Sequence, residues 1–126
     1  MGRLLRFGLV GVVGFIVDAG LLQIMVQWGG ISPFSARLGS FMAAATTTWW
    51  LNRCFTFRAR NQANGKEWMR YIAAMMLGGL FNYGVFAAVL LWLPLALRQP
   101  WLAVACGSLA GMAVNFYTSS RFVFVR

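Results

Sequence analysis

Four long apolar runs, separated only by short polar or breaker-rich connections, constrain this chain more than any other feature. They cover about residues 7–28, 34–57, 69–93 and 101–125. Each is near or above the ~20 residues that cross ~30 Å of hydrocarbon as a helix. Helices satisfy their own backbone groups in lipid, and no alternating ten-residue pattern supports a barrel. Composition agrees: 60% of the 126 residues are hydrophobic and 10% are charged, against about a quarter charged in soluble domains. The expected fold is an all-α membrane protein, a single domain over 1–126 forming a four-transmembrane-helix bundle. The first run is too long, and lacks the cleavage pattern, for a removable signal peptide.

Charge sets the orientation. Eleven Lys and Arg face two acids, Asp18 and Glu67. The cations sit at the edges of the apolar runs rather than on a basic surface, which argues against a nucleic-acid partner. Arg3, Arg6, Arg58, Arg60, Lys66, Arg70, Arg121 and Arg126 gather at the termini and the middle loop, whereas the other side has only Arg37 and Arg98. The Lys/Arg excess places both termini in the cytoplasm. Trp28, Trp68, Trp92 and Trp101 fall at the expected interfaces, as aromatic belts do.

The runs also repeat in pairs. A shift of 64 residues lays the first on the third, matching Arg6 with Arg70, Gly14 with Gly78 and Asp18 with Asn82. A shift of 68 lays the second on the fourth, matching Gly39 with Gly107, Arg53 with Arg121 and Arg58 with Arg126. The halves then read as two helical hairpins in parallel repeat.

Small residues recur at helical spacing with polar ones among them: Gly11, Gly14 and Asp18; Gly39, Ala43 and Thr47; Ala74, Gly78 and Asn82; Gly107, Gly111 and Asn115. Such stripes let helices approach closely in lipid, so these polar groups are expected to face other helices. Asp18 lies ~18 Å past Arg6 at 1.5 Å per residue. An unpaired carboxylate there costs at least ~2.5–3.5 kcal/mol, so protonation or a cation partner is expected, and intramembrane ionisable groups are functional by default. Arg53 and Arg121 lie about a turn inside the ends of their runs, where snorkelling or joint binding of a phosphate are both open. Asn52, Trp49 and Tyr117 are neighbours that offer hydrogen bonds and stacking faces. Cys54 and Cys106 read as small buried hydrophobes. With no histidine, no paired carboxylates and no metal-ligand spacing, neither a catalytic centre, a metal site nor a cofactor is expected.

The segment RFGLVGVVGFIVD from Arg6 to Asp18 resembles the opening of GtrA-like proteins. WLNRCFTF, from Trp50 to Phe57, and NFYTSSRFVF, from Asn115 to Phe124, resemble their paired signatures at the ends of helices two and four. The resemblance spans nearly the whole chain, with Ser120 as a departure where the first half has Asn52. It implies a multi-pass protein of the bacterial cytoplasmic membrane that translocates a polyprenyl-phosphate-linked sugar for cell-surface polysaccharide synthesis. It puts Asn52, Arg53, Asn115 and Arg121 at matching positions and Asp18 in the first helix; the helix faces and sequence neighbours described above, not the resemblance, add Asn82, Trp49 and Tyr117 to the candidate substrate-binding set. A polyprenyl-phosphate glycosyltransferase is the implied protein partner, and a second copy of the chain is expected on separate grounds, because a 126-residue four-helix bundle is narrow for a large lipid headgroup. Two other readings stay open: a non-transporting subunit that anchors such a glycosyltransferase, and a small multidrug-type exporter. The cation bias, nine to two once Arg53 is counted with the termini and middle loop, disfavours the exporter, which would insert in both orientations.

Overall fold

A computed structural model describes residues 2–94 and 100–124. Among these the chain is helical throughout, in the order α1 (Arg3–Gln27), α2 (Pro33–Leu51), α3 (Gly65–Trp92) and α4 (Pro100–Thr118). Both α2 and α4 run on into a five-residue π-helical turn, Asn52–Thr56 and Ser119–Val123 respectively. The chain divides into two compact units, Met1–Gln62 and Ala63–Arg126. Each is a helical hairpin, α1 against α2 and α3 against α4.

The helix ends follow local chemistry. Gly30 adopts φ +64 after α1, and the Ile31 amide turns back to the Met25 carbonyl at 3.1 Å. Glycine takes that conformation without a Cβ penalty. Ser32 then caps α2, accepting from the Ser35 amide at 3.4 Å, and Pro33 occupies the first helical position, where its missing N–H costs nothing. Asn64 caps α3 by accepting from the Glu67 amide at 2.9 Å. That cap starts α3 four residues before the apolar run at Met69, so Glu67 and Trp68 are helical. The anticipated polar connection is correspondingly shorter.

Three helices are long and apolar enough to cross a membrane: Arg3–Gln27, Gly65–Trp92 and Pro100–Val123, with mean hydropathies of 2.2, 1.8 and 1.2. The Pro33–Leu51 helix is not among them. Arg37, Ser40 and the run Thr46, Thr47 and Thr48 make it the most polar of the four. Large apolar side chains such as Phe15, Leu80, Trp92 and Leu109 are exposed, as expected for a multi-pass membrane protein whose helices face lipid. The expected loop cation Arg98, the C-terminal Arg126 and the last position of the fourth run, Val125, lie outside the described residues.

Burial corrects the repeat. For α1 and α3 the 64-residue shift holds, with Phe7, Val10 and Gly14 buried on one and Tyr71, Ala74 and Gly78 on the other. For α2 and α4 the shift is 67, not 68. Pro33 and Pro100 both open their helices, Ala36 and Ala103 are both fully buried, and the two π-helical turns begin at Asn52 and Ser119. Phe57 packs on Phe7 at 6.2 Å between ring centroids, and Phe124 packs on Tyr71 at 6.1 Å. One residue is a rotation of ~100° on a helix. The α2 seam is therefore Ala36, Ser40, Ala44 and Thr48, whereas Gly39 is exposed and Ala43 and Thr47 only half-buried. On α1 Gly14 faces the seam and Gly11 does not.

Candidate functional site: polar groups along two hairpin seams

In the first hairpin the α1–α2 seam is closed by Gly14, where an added Cβ would overlap the Thr48 side chain. One turn further along α1, Asp18 Oδ2 accepts from Arg37 Nη1 at 2.6 Å. Of the two outcomes anticipated for this carboxylate, the structure shows the paired one. Arg37, which charge counting assigned to topology, stands inside α2 and is the partner. The pair is single-pronged: Asp18 Oδ1 is buried with no hydrogen-bond partner among the described residues. The Arg37 side chain is 58% exposed and that of Asp18 is 18% exposed.

The other end of this hairpin is the π-helical turn. An i→i+5 turn widens the helix and redirects the side chains it carries, and such turns recur at functional sites. Phe57 N–H reaches the Asn52 carbonyl at 2.8 Å. Asn52 is buried and accepts from the Thr56 hydroxyl at 2.7 Å. Arg53 is only 4% exposed and donates through Nη2 to the Asn61 carbonyl, so it does not snorkel. Trp49 is half-buried, its ring edge-on to Trp50 at 5.8 Å. Two further cations converge here, neither of which composition singled out. Arg6 lies over the Phe55 ring at 5.4 Å and Arg3 over Phe57 at 5.9 Å. The Arg6 Nε is buried and unpartnered among the described residues. Cys54, expected to be buried, faces outward on the turn, and Cys106 is half-buried.

In the second hairpin asparagines and glycines interlock. A Cβ on Gly78 would overlap the Asn115 side chain, and one on Gly107 would come within 2.5 Å of the Asn82 carbonyl. Asn82 also fills the space beside Gly111, where a Cβ would meet its own Cβ at 2.9 Å. Asn82 and Asn115 thus occupy the α3–α4 seam as expected of seam-facing polar groups. Asn115 Oδ1 and the fully buried Ser119 Oγ lack hydrogen-bond partners among the described residues. Tyr117 is exposed, edge-on to Phe122 at 6.3 Å, and Arg121 is also exposed.

The expected equivalence of Arg53 and Arg121 does not survive the corrected register. Arg53 corresponds to Ser120 and Arg121 to Cys54, while Asn52 corresponds to Ser119. Burial agrees, since Arg53 is enclosed while Cys54 and Arg121 are both exposed. The one-residue displacement also removes the apparent replacement of Asn52 by Ser120.

No curated protein matches this chain. The model of one family does, described as GtrA/DPMS, transmembrane domain, and it matches residues 6–125. That span contains all but the first three residues of α1, both π-helical turns and every polar residue described above except Arg3, and the chain belongs to the GtrA/DPMS transmembrane-domain family.

Proposed function

We propose that this chain translocates a polyprenyl-phosphate-linked sugar across the bacterial cytoplasmic membrane for cell-surface polysaccharide synthesis, without catalytic chemistry of its own. Family membership supports a role in polyprenyl-phosphate sugar processes. The observation that carries the translocation reading is the buried Arg53 in its π-helical turn, beside Asn52 and flanked by Arg3 and Arg6. A guanidinium near the membrane boundary is suited to a lipid phosphate, and Asn52 and Trp49 suit a sugar. Asn82 and Asn115 supply neutral polar groups along the second hairpin, with Arg121 and Tyr117 exposed to anionic lipid at its end.

In this reading all four helices cross the membrane with both termini inside. If α1 crosses, α2 packs back along it from Arg37 near its start to Phe57 beyond its end and must cross too, despite its threonines. The nine-to-two Lys/Arg distribution fixes the direction.

The test is leaflet-resolved movement of a polyprenyl-phosphate sugar in liposomes. Purified protein should accelerate it and Arg53→Lys, which keeps charge but loses the fork, should abolish most of the gain. Binding without acceleration would transfer the weight to a second reading, a membrane subunit that docks a polyprenyl-phosphate glycosyltransferase or a second copy of the chain.

A further inference from the structure

Arg37 is the only basic residue within the helical stretch from Pro33 to Leu51, and it lies ~24 Å along the helix from Arg53 at 1.5 Å per residue, a separation close to the ~30 Å of hydrocarbon. Its contacts are unusually few for a cation at that place. One nitrogen, Nη1, holds one carboxylate oxygen, and no other hydrogen bond or ring contact of its side chain occurs among the described residues. The guanidinium therefore keeps an unused donor edge on a side chain that is 58% exposed. It stands in the second turn of α2, whose capped N-terminus at Ser32 adds the positive end of the helix dipole. Its partner is equally half-used, because Asp18 Oδ1 is buried and has no donor among the described residues. An ion pair built for stability alone would be bidentate and fully bonded.

We infer that Arg37 is a second phosphate station at the turn end of the first hairpin, and that Asp18 is the built-in competitor that makes it release. The inference rests on the translocation reading and deepens it. The free edge of the guanidinium takes a phosphate oxygen of the polyprenyl-phosphate lipid. The Asp18 carboxylate shares the same cation, so it weakens that grip and reclaims Arg37 when the phosphate leaves. Arg53 and Arg37 then mark the two ends of one helix, the first enclosed and the second open and self-quenching. Among the described residues of the second hairpin these two places hold no charge, since the residue in the place of Asp18 is Asn82 and that in the place of Arg37 is Val104.

The experiment measures binding of a fluorescent polyprenyl monophosphate to the full chain in detergent micelles, with phosphatidylglycerol as competitor, beside the liposome transport assay. Asp18→Asn should tighten binding about ten-fold, the scale of one removed competing charge, and slow transport because release is slower. Arg37→Gln should remove the gain in the double variant, and Arg37→Lys should bind more weakly than wild type at unchanged thermal stability. Unchanged or weaker binding in a folded Asp18→Asn overturns the station, as does displacement of the probe by phosphatidylglycerol as effective as by polyprenyl phosphate itself. Should Asp18→Asn not fold, wild-type affinity in both Arg37 variants overturns it instead. Wild-type transport with all variants binding alike sinks the station and spares translocation, whereas Arg37-dependent binding without any transport sinks translocation and spares the station.

Discussion

In the first hairpin a carboxylate on α1 meets a guanidinium on α2, and a second guanidinium is enclosed in the π-helical turn; in the second hairpin the same three places hold Asn82, Val104 and Ser120. The backbone plan is common, down to two 19-residue helices that each begin at proline and end in a five-residue π-helical turn. The contents differ. Hairpin one spends its interior on charge, and hairpin two on tight contact between asparagine and glycine. The polar residues that make α2 less apolar than α4 are split: Ser40 and Thr48 lie in its seam, whereas Arg37 and Thr46 are exposed.

The largest effect is expected from moving the charge across. Asn82→Asp places a carboxylate in a seam with Val104 where a cation would be needed, and should cost about 3 kcal/mol of stability, the insertion cost of an unpaired acid. Adding Val104→Arg should restore most of it by rebuilding the pair of the first hairpin. Thermal unfolding in detergent would decide the matter. A rescue of less than half would mean that the hairpins differ in backbone geometry as well as in contents.

The tightness contrast comes next. At Gly107 a methyl group meets a backbone carbonyl, which can yield only if the helices separate. At Gly14 it meets the Thr48 side chain, which has other rotamers. Gly107→Ala should therefore cost about 2 kcal/mol and Gly14→Ala about 1, within the range of overpacked seams. Equal losses would erase the distinction. For Gly78 the obstacle is the Asn115 side chain, so Asn115→Ala should rescue Gly78→Ala.

Much of this plan was readable in advance, and the exceptions have physical causes. Helix number and the glycine faces of α3 and α4 follow from apolar run length and small-residue spacing, whereas the start of α3 does not, because the Asn64 cap carries the helix four residues ahead of its apolar run. The register of α2 on α4 did not, because matching arginines outweighed Pro33 and Pro100, the residues that start the two helices. Identity of charge says little about rotation, whereas a proline at the first helical position anchors it. Arg37 was hidden by its other plausible job as a topology charge. The π-helical turns carry no periodic signal, so the burial of Arg53 was invisible before coordinates.

Arg53 and Arg121, which the 68-residue shift matches, give a third test. Arg53→Ala removes a buried guanidinium bonded to the Asn61 carbonyl and should cost about 2 kcal/mol, the scale of a charged hydrogen bond. Arg121→Ala removes an exposed side chain and should leave the unfolding midpoint where it was. Equal sensitivity would restore the symmetry that the register denies.

The smallest effect lies at the exit of the first π-helical turn. Arg58 sits at φ +48, a left-handed conformation that lets the Ala59 amide return to the Arg53 carbonyl at 2.8 Å. Gly30 serves the same purpose after α1, where the residue type fits the angle. A side chain at Arg58 pays the Cβ penalty that Gly30 avoids, so Arg58→Gly should raise stability by up to about 1 kcal/mol. The Lys/Arg bias would fall only from nine to eight against two, too little to turn the chain over in the membrane. A loss of stability instead would show that the Arg58 side chain, rather than its backbone angle, holds the turn that encloses Arg53, and the arginine-rich end of hairpin one would then extend one residue further along the chain.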